Sequence, residues 1–242
     1  MKMTPEQRKE MILKFKGFGN PLGDKKFCFI GIEESVGFDK SWSDNEIDNE
    51  ILRSYFKDYS PEGPSDYYSY KKIYSDLFQR PYTQVYEIMA KLIHGLMPEL
   101  IVKEILDKYL FTCNGLAFQM NLYPLGKNHM DVKLPDIVLK RFGFTGQEDY
   151  LSSMKTSRFP RLYEFWNSMN FGLTICFGKE NWEDFRDCLH LNEIRPVRDE
   201  SGKFELYGGK VVLTHFFANY NFSEQGIDKF VNFIKSNKTN CQ

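Results

Sequence analysis

Four stretches rich in apolar residues stand out along the chain: Lys26–Glu33 (KFCFIGIE), Leu116–Leu122 (LAFQMNL), Leu173–Phe177 (LTICF) and Val211–His215 (VVLTH). Runs of this kind are what a strand covered on both faces requires. Between them the apolar positions recur every three or four residues, which is the spacing of one helical face. Tyr67–Phe78 and Tyr82–Leu96 follow that rule, and Pro98 restarts a helix to about Leu110. A shorter helix is expected around Ile47–Asp58 inside the polar stretch 34–66, and residues 127–170 are charged and mostly helical.

Punctuation fixes the boundaries. Thr4-Pro5-Glu6-Gln7 predicts a capped helix start, with Pro in the first turn and Gln completing a capping box. Gly178-Lys179-Glu180-Asn181 turns the third strand into a helix over Trp182–Leu191. Ile194–Val197 and Phe204–Tyr207 form a hairpin with Ser201-Gly202 at its tip, and Ser223 caps a last helix over about Glu224–Lys235. Strands alternating with helices predict a three-layer α/β/α domain spanning 1–242, around a central four-stranded, mostly parallel sheet.

Composition narrows the function. The 242 residues are 42% hydrophobic, 27% charged and 16% aromatic, with a net charge of −1. A protein that coats DNA is usually strongly basic, so the overall charge lends nucleic-acid binding no support, although a local basic patch is compatible with it. The five cysteines stand far apart and in odd number, which argues against a disulfide framework, a zinc site or an iron–sulfur cluster. No metal or cofactor is expected, and no span or leader is evident, so a cytoplasmic, reducing location is expected.

In open parallel sheets ligands bind beyond the carboxyl ends of the strands. The residues there are Glu33 and Glu34, Asn121 and Tyr123, Gly178, and His215 with Phe216. A carboxylate, a carboxamide and an imidazole from three strands make a chemically selective set.

These segments resemble the uracil-DNA glycosylase superfamily. FIGIEESVG is similar to its first-strand motif, which appears as G-Q-D-P-Y-H, G-M-N-P-G or G-E-A-P-G. FQMNLYPLG is similar to the strand ending in the base-reading Asn. TICFGKENWEDF resembles its strand–Gly–helix segment, and VVLTHFF stands in the place of H-P-S-P. The resemblance implies hydrolysis of the N-glycosidic bond of a flipped-out uracil or related damaged base in DNA. It puts Glu33 or Glu34 at the catalytic carboxylate, Asn121 against the base edge and His215 against the departing base. Phe38 or Trp42 would stack on the base beside Tyr123, and Phe216 would press into DNA. Lys127, Lys140, Arg141, Lys155, Arg158 and Arg161 would form a basic rim, with Lys127 and Arg158 on the DNA.

The chain departs from the family where Glu34 replaces a Pro and where Phe216-Phe217 replace Pro-Ser. Two alternatives are a non-catalytic binding module that retains the fold, and a hydrolase of a small nucleoside or nucleotide.

Overall fold

A computed structural model describes residues 4–19, 26–32, 67–68, 84–111, 115–126, 133–217 and 221–238. The expected helix around Ile47–Asp58, and Glu33, Glu34, Phe38, Trp42 and Lys127, lie outside the described residues.

Helix α1 (Pro5–Lys14) begins as its capping box requires: Gln7 N–H donates to Thr4 Oγ1, and Thr4 N–H donates to Gln7 Oε1. Strands β1 (Gly17–Phe18), β2 (Phe27–Gly31) and β3 (Tyr67–Tyr68) follow. Then come α2 (Gln84–Leu96), α3 (Val102–Glu104) running into a π-helical turn Ile105–Tyr109, and β4 (Ala117–Asn121). Helices α4 (Asp136–Arg141), α5 (Gln147–Ser153) and α6 (Phe159–Met169) come next, with a second π-helical turn, Met154–Arg158, between α5 and α6. The chain ends with β5 (Leu173–Phe177), α7 (Trp182–Cys188), β6 (Val197–Arg198), β7 (Phe204–Tyr207), β8 (Val211–Thr214) and α8 (Glu224–Lys238).

The four expected core strands are present and run parallel, with β2 paired to β4 and β5, and β5 to β8. The expectation of a four-stranded sheet is corrected. The described sheet is mixed and has eight strands in the order β3-β1-β4-β2-β5-β8-β7-β6. The additions have two physical sources. β1 and β3 are two-residue strands, too short to carry a periodic signal, and β3 begins where a helix over Tyr67–Phe78 is expected. On the other flank, β7 turns straight back onto β8. Gly208 and Gly209 both take positive φ (53° and 66°), and Lys210 N–H closes on the Tyr207 carbonyl at 3.0 Å. Two consecutive left-handed residues are what a two-residue hairpin turn demands.

The core strands β2, β4, β5, β7 and β8 are buried along their whole lengths. On one face Phe29 meets Phe111 and Phe217 edge-on, and Phe111 meets Tyr86 of α2. On the other face Phe118 packs on Phe165 of α6 and on Phe171. Helices therefore cover both faces, with α2 packed against α8 in one layer and α6 against α7 in the other.

Candidate functional site at the carboxyl edge of the parallel strands

Within the parallel core the chain visits β2, then β4 on one side, then β5 and β8 on the other. The direction of travel reverses between β2 and β5. A crevice outside the carboxyl ends of such a pair is where open α/β sheets take ligands. The register sets Gly31 opposite Asn121, and Phe177 opposite Thr214. Gly31 permits this closeness: a Cβ there would fall 2.7 Å from Asn121 Oδ1 and 2.9 Å from Phe177 Cζ.

Asn121 is buried at the end of β4 beside Gly31. Thr214 is fully buried and, by its register with Phe177, turns toward the α8 layer. His215, one residue on, packs the other way: its ring lies 6.3 Å from Trp182 of α7, nearly perpendicular to it. Asn121 and His215 thus stand at the same edge but lean on different neighbours. Phe177 stacks face-on with Phe217 at 4.5 Å and lies 6.1 Å from Phe216, which is 38% exposed at the rim.

Three buried side-chain atoms among the described residues have no hydrogen-bond partner: Gln119 Oε1, Thr214 Oγ1 and His215 Nε2. Sequence reasoning missed Gln119 and Thr214, although each is a polar residue inside an apolar run, which is a readable signal. Burial, then the cations Lys179 and Lys203, lower the His215 pKa, so the imidazole is neutral at pH 7.

The other expected site residues sit elsewhere. Tyr123 is buried; its hydroxyl donates to Asp184 at 2.7 Å and its ring lies against Tyr150 and Phe159. The expectation that Arg158 contacts DNA is corrected, because its side chain is fully buried. It donates to the carbonyls of Leu122 (2.9 Å), Asn121 (2.8 Å), Ile12 (2.7 Å) and Phe15. Its place on a turn between two helices, which charge patterning alone does not reveal, put it inside rather than on the rim. Of the other rim residues, Lys155 pairs with Asp184 at 2.7 Å and Arg161 with Glu10 at 3.2 Å, while Lys140 is exposed.

A cavity of about 400 Å³ lies at the opposite, amino edge, walled by Lys26, Phe27, Leu96, Leu173, Ile234 and Lys235, away from all of these residues. Among the described residues no group of three His, Cys, Asp or Glu is placed to hold a metal ion, and no helix is long and apolar enough to cross a membrane. Among known protein families, curated proteins and solved structures, none matches this chain.

Proposed function

We propose that the chain is an N-glycosylase-type hydrolase of the uracil-DNA glycosylase kind, taking one nucleobase at the carboxyl edge of its parallel strands. One observation carries the reading. Of the three unpartnered buried polar atoms, Thr214 Oγ1 and His215 Nε2 belong to the last residue of β8 and the one just after it, at the edge where the strand order sets the crevice, and Gln119 Oε1 lies two residues short of the end of β4. Each such atom costs about 1–3 kcal/mol when unsatisfied, and a ligand that supplies partners offsets that cost. A flat heterocycle with polar edges has the right chemistry.

In this reading the bond between sugar C1′ and the base nitrogen breaks, and the oxygen of water ends on C1′. Glu33 or Glu34 holds that water, takes one of its protons and opposes positive charge on the sugar. Asn121 pairs with the base edge. His215, kept neutral, donates a hydrogen bond to the base as negative charge builds on it, and solvent then protonates the departed base.

Two observations favour other readings. The ion pairs of Lys155 and Arg161 leave less free charge for phosphates, which suits a small nucleoside or nucleotide better than a DNA groove. The separate packing of Asn121 and His215 suits a module that keeps the fold without the chemistry.

The test is single-turnover base release from a panel of uracil and damaged-base oligonucleotides and nucleosides. Release is expected from at least one, with His215→Ala slower by about 10²–10³-fold and binding little changed. Binding without release across the whole panel would establish the non-catalytic module, and equal rates for wild type and His215→Ala would remove His215 from the chemistry.

A further inference from the structure

We infer that Trp182 and Arg186 are positioning residues for the His215 imidazole, braced from behind by the β6–β7 hairpin. The inference rests on the part given to His215 above.

Trp182 is the first residue of α7 and is buried. Its indole N–H donates to the Thr214 carbonyl at 3.0 Å, which fixes the backbone one residue before His215. Its ring then meets the imidazole at 76°. One side chain therefore holds both the peptide that carries His215 and the ring itself. Arg186, one helical turn later, lies 5.8 Å from the centre of the Trp182 ring, within the range of a cation–π contact.

Arg186 is itself held. It donates to Glu205 Oε2 at 2.6 Å and to the Tyr207 hydroxyl at 2.8 Å. Glu205 also accepts from Tyr207 at 2.6 Å and from Arg198 at 2.8 Å, and it is buried on β7. The support thus runs from the hairpin carboxylate to the guanidinium, to the indole and to the imidazole. This arrangement limits how far the imidazole can turn, and orientation is what a hydrogen-bond donor aimed at developing charge requires.

The charged groups that bear on His215 come from both sides of this wall: Lys179 and Glu180 from the turn before α7, Lys203 and Asp199 from the hairpin. Moving the hairpin or Trp182 therefore alters both the solvation and the field at the imidazole. A residue that served stability alone would alter neither in the folded protein.

The experiment is ring-proton NMR of the full chain without ligand, titrated with acid, for wild type, Trp182→Phe, Trp182→Leu, Arg186→Lys and Glu205→Gln. His215→Gln identifies the resonance. Wild-type His215 is expected to titrate below 6.5. Trp182→Leu should raise that value toward 6.5 by admitting water, and Trp182→Phe, which keeps a ring but loses the bond to Thr214, should fall between. Arg186→Lys keeps the charge but cannot span Glu205 and Tyr207 with one planar fork, so it too should raise the value. An unchanged His215 titration in folded Trp182→Phe and Arg186→Lys would overturn the inference; these two conservative variants decide it even if Trp182→Leu does not fold. Because no substrate is present, the two readings separate. Shifted titrations in a chain inactive on every base leave the positioning standing and remove the glycosylase, whereas unchanged titrations in an active chain do the reverse.

Discussion

Arg158 carries a full charge into the interior and satisfies it with backbone carbonyls. Burial draws its pKa down to about 10, still far enough above neutrality to keep it charged. Two of its acceptors, Ile12 and Phe15, lie at the end of α1, where helical carbonyls have no partners of their own. The other two, Asn121 and Leu122, lie at the end of β4, so the guanidinium fixes the backbone that presents the candidate base-reading carboxamide. Arg158→Met strips the donor from four backbone carbonyls and should cost at least the roughly 1–3 kcal/mol of one buried acceptor left unsatisfied, as measured by urea unfolding. Arg158→Lys should recover less than half of that, because an ammonium cannot fork to four carbonyls.

His215 is linked to pH with the same sign, but near neutrality. Burial and two lysines lower its folded pKa, so the unfolded chain binds the proton more readily than the folded one. Its contribution to stability is then whole above 6.5 and declines as the pH falls from 6.5 through the lower folded value. Melting temperatures followed down from neutrality should fall more steeply for wild type than for His215→Gln. Parallel curves would mean that His215 is as well solvated folded as unfolded.

Among the elements, α2 and α8 approach so closely that one position admits no side chain. A Cβ on Gly95 would sit 2.5 Å from Val231 Cγ2. Gly95→Ala gains about 1 kcal/mol of helix propensity but forces extra volume into a packed contact at about 1–3 kcal/mol, so a net loss of about 1 kcal/mol is expected. Val231→Ala in the same chain should reverse the loss, and the double-mutant cycle in denaturant measures it. Glycine inside the helical pattern of Tyr82–Leu96 gave no sequence sign of this contact, because its partner is more than a hundred residues away. Other elements were readable for physical reasons. The core strands are apolar on both faces, and the Thr4–Gln7 box satisfies its own donors locally. The π-helical turns were not, since one extra residue in a turn leaves no mark on a three-to-four periodicity.

At the scale of the molecule, the parallel order of the core followed from alternation of strand and helix, whereas its flanks did not. The turn at Gly208-Gly209 went unread, and Val211–His215 read as a parallel core strand with no indication that it also carries an antiparallel partner. The candidate site was legible to the same degree. Strand ends named Asn121 and His215, but the side toward which each side chain leans depends on packing partners such as Trp182, which lie in another layer.

The Arg158 bridge also bears on how the chain comes to be folded. Its bond to Ile12 joins positions 146 residues apart, and its bond to Leu122 spans only 36. Closing the longer loop costs more chain entropy and comes late unless other contacts have already drawn its ends together. On the ribosome α1 emerges well before residue 158, and its last carbonyls find their cation only after that residue has been made. Helix α1 is therefore secured by a residue far along the chain, and a nascent chain stalled short of Arg158 would lack the cation that ties the end of α1 to the end of β4.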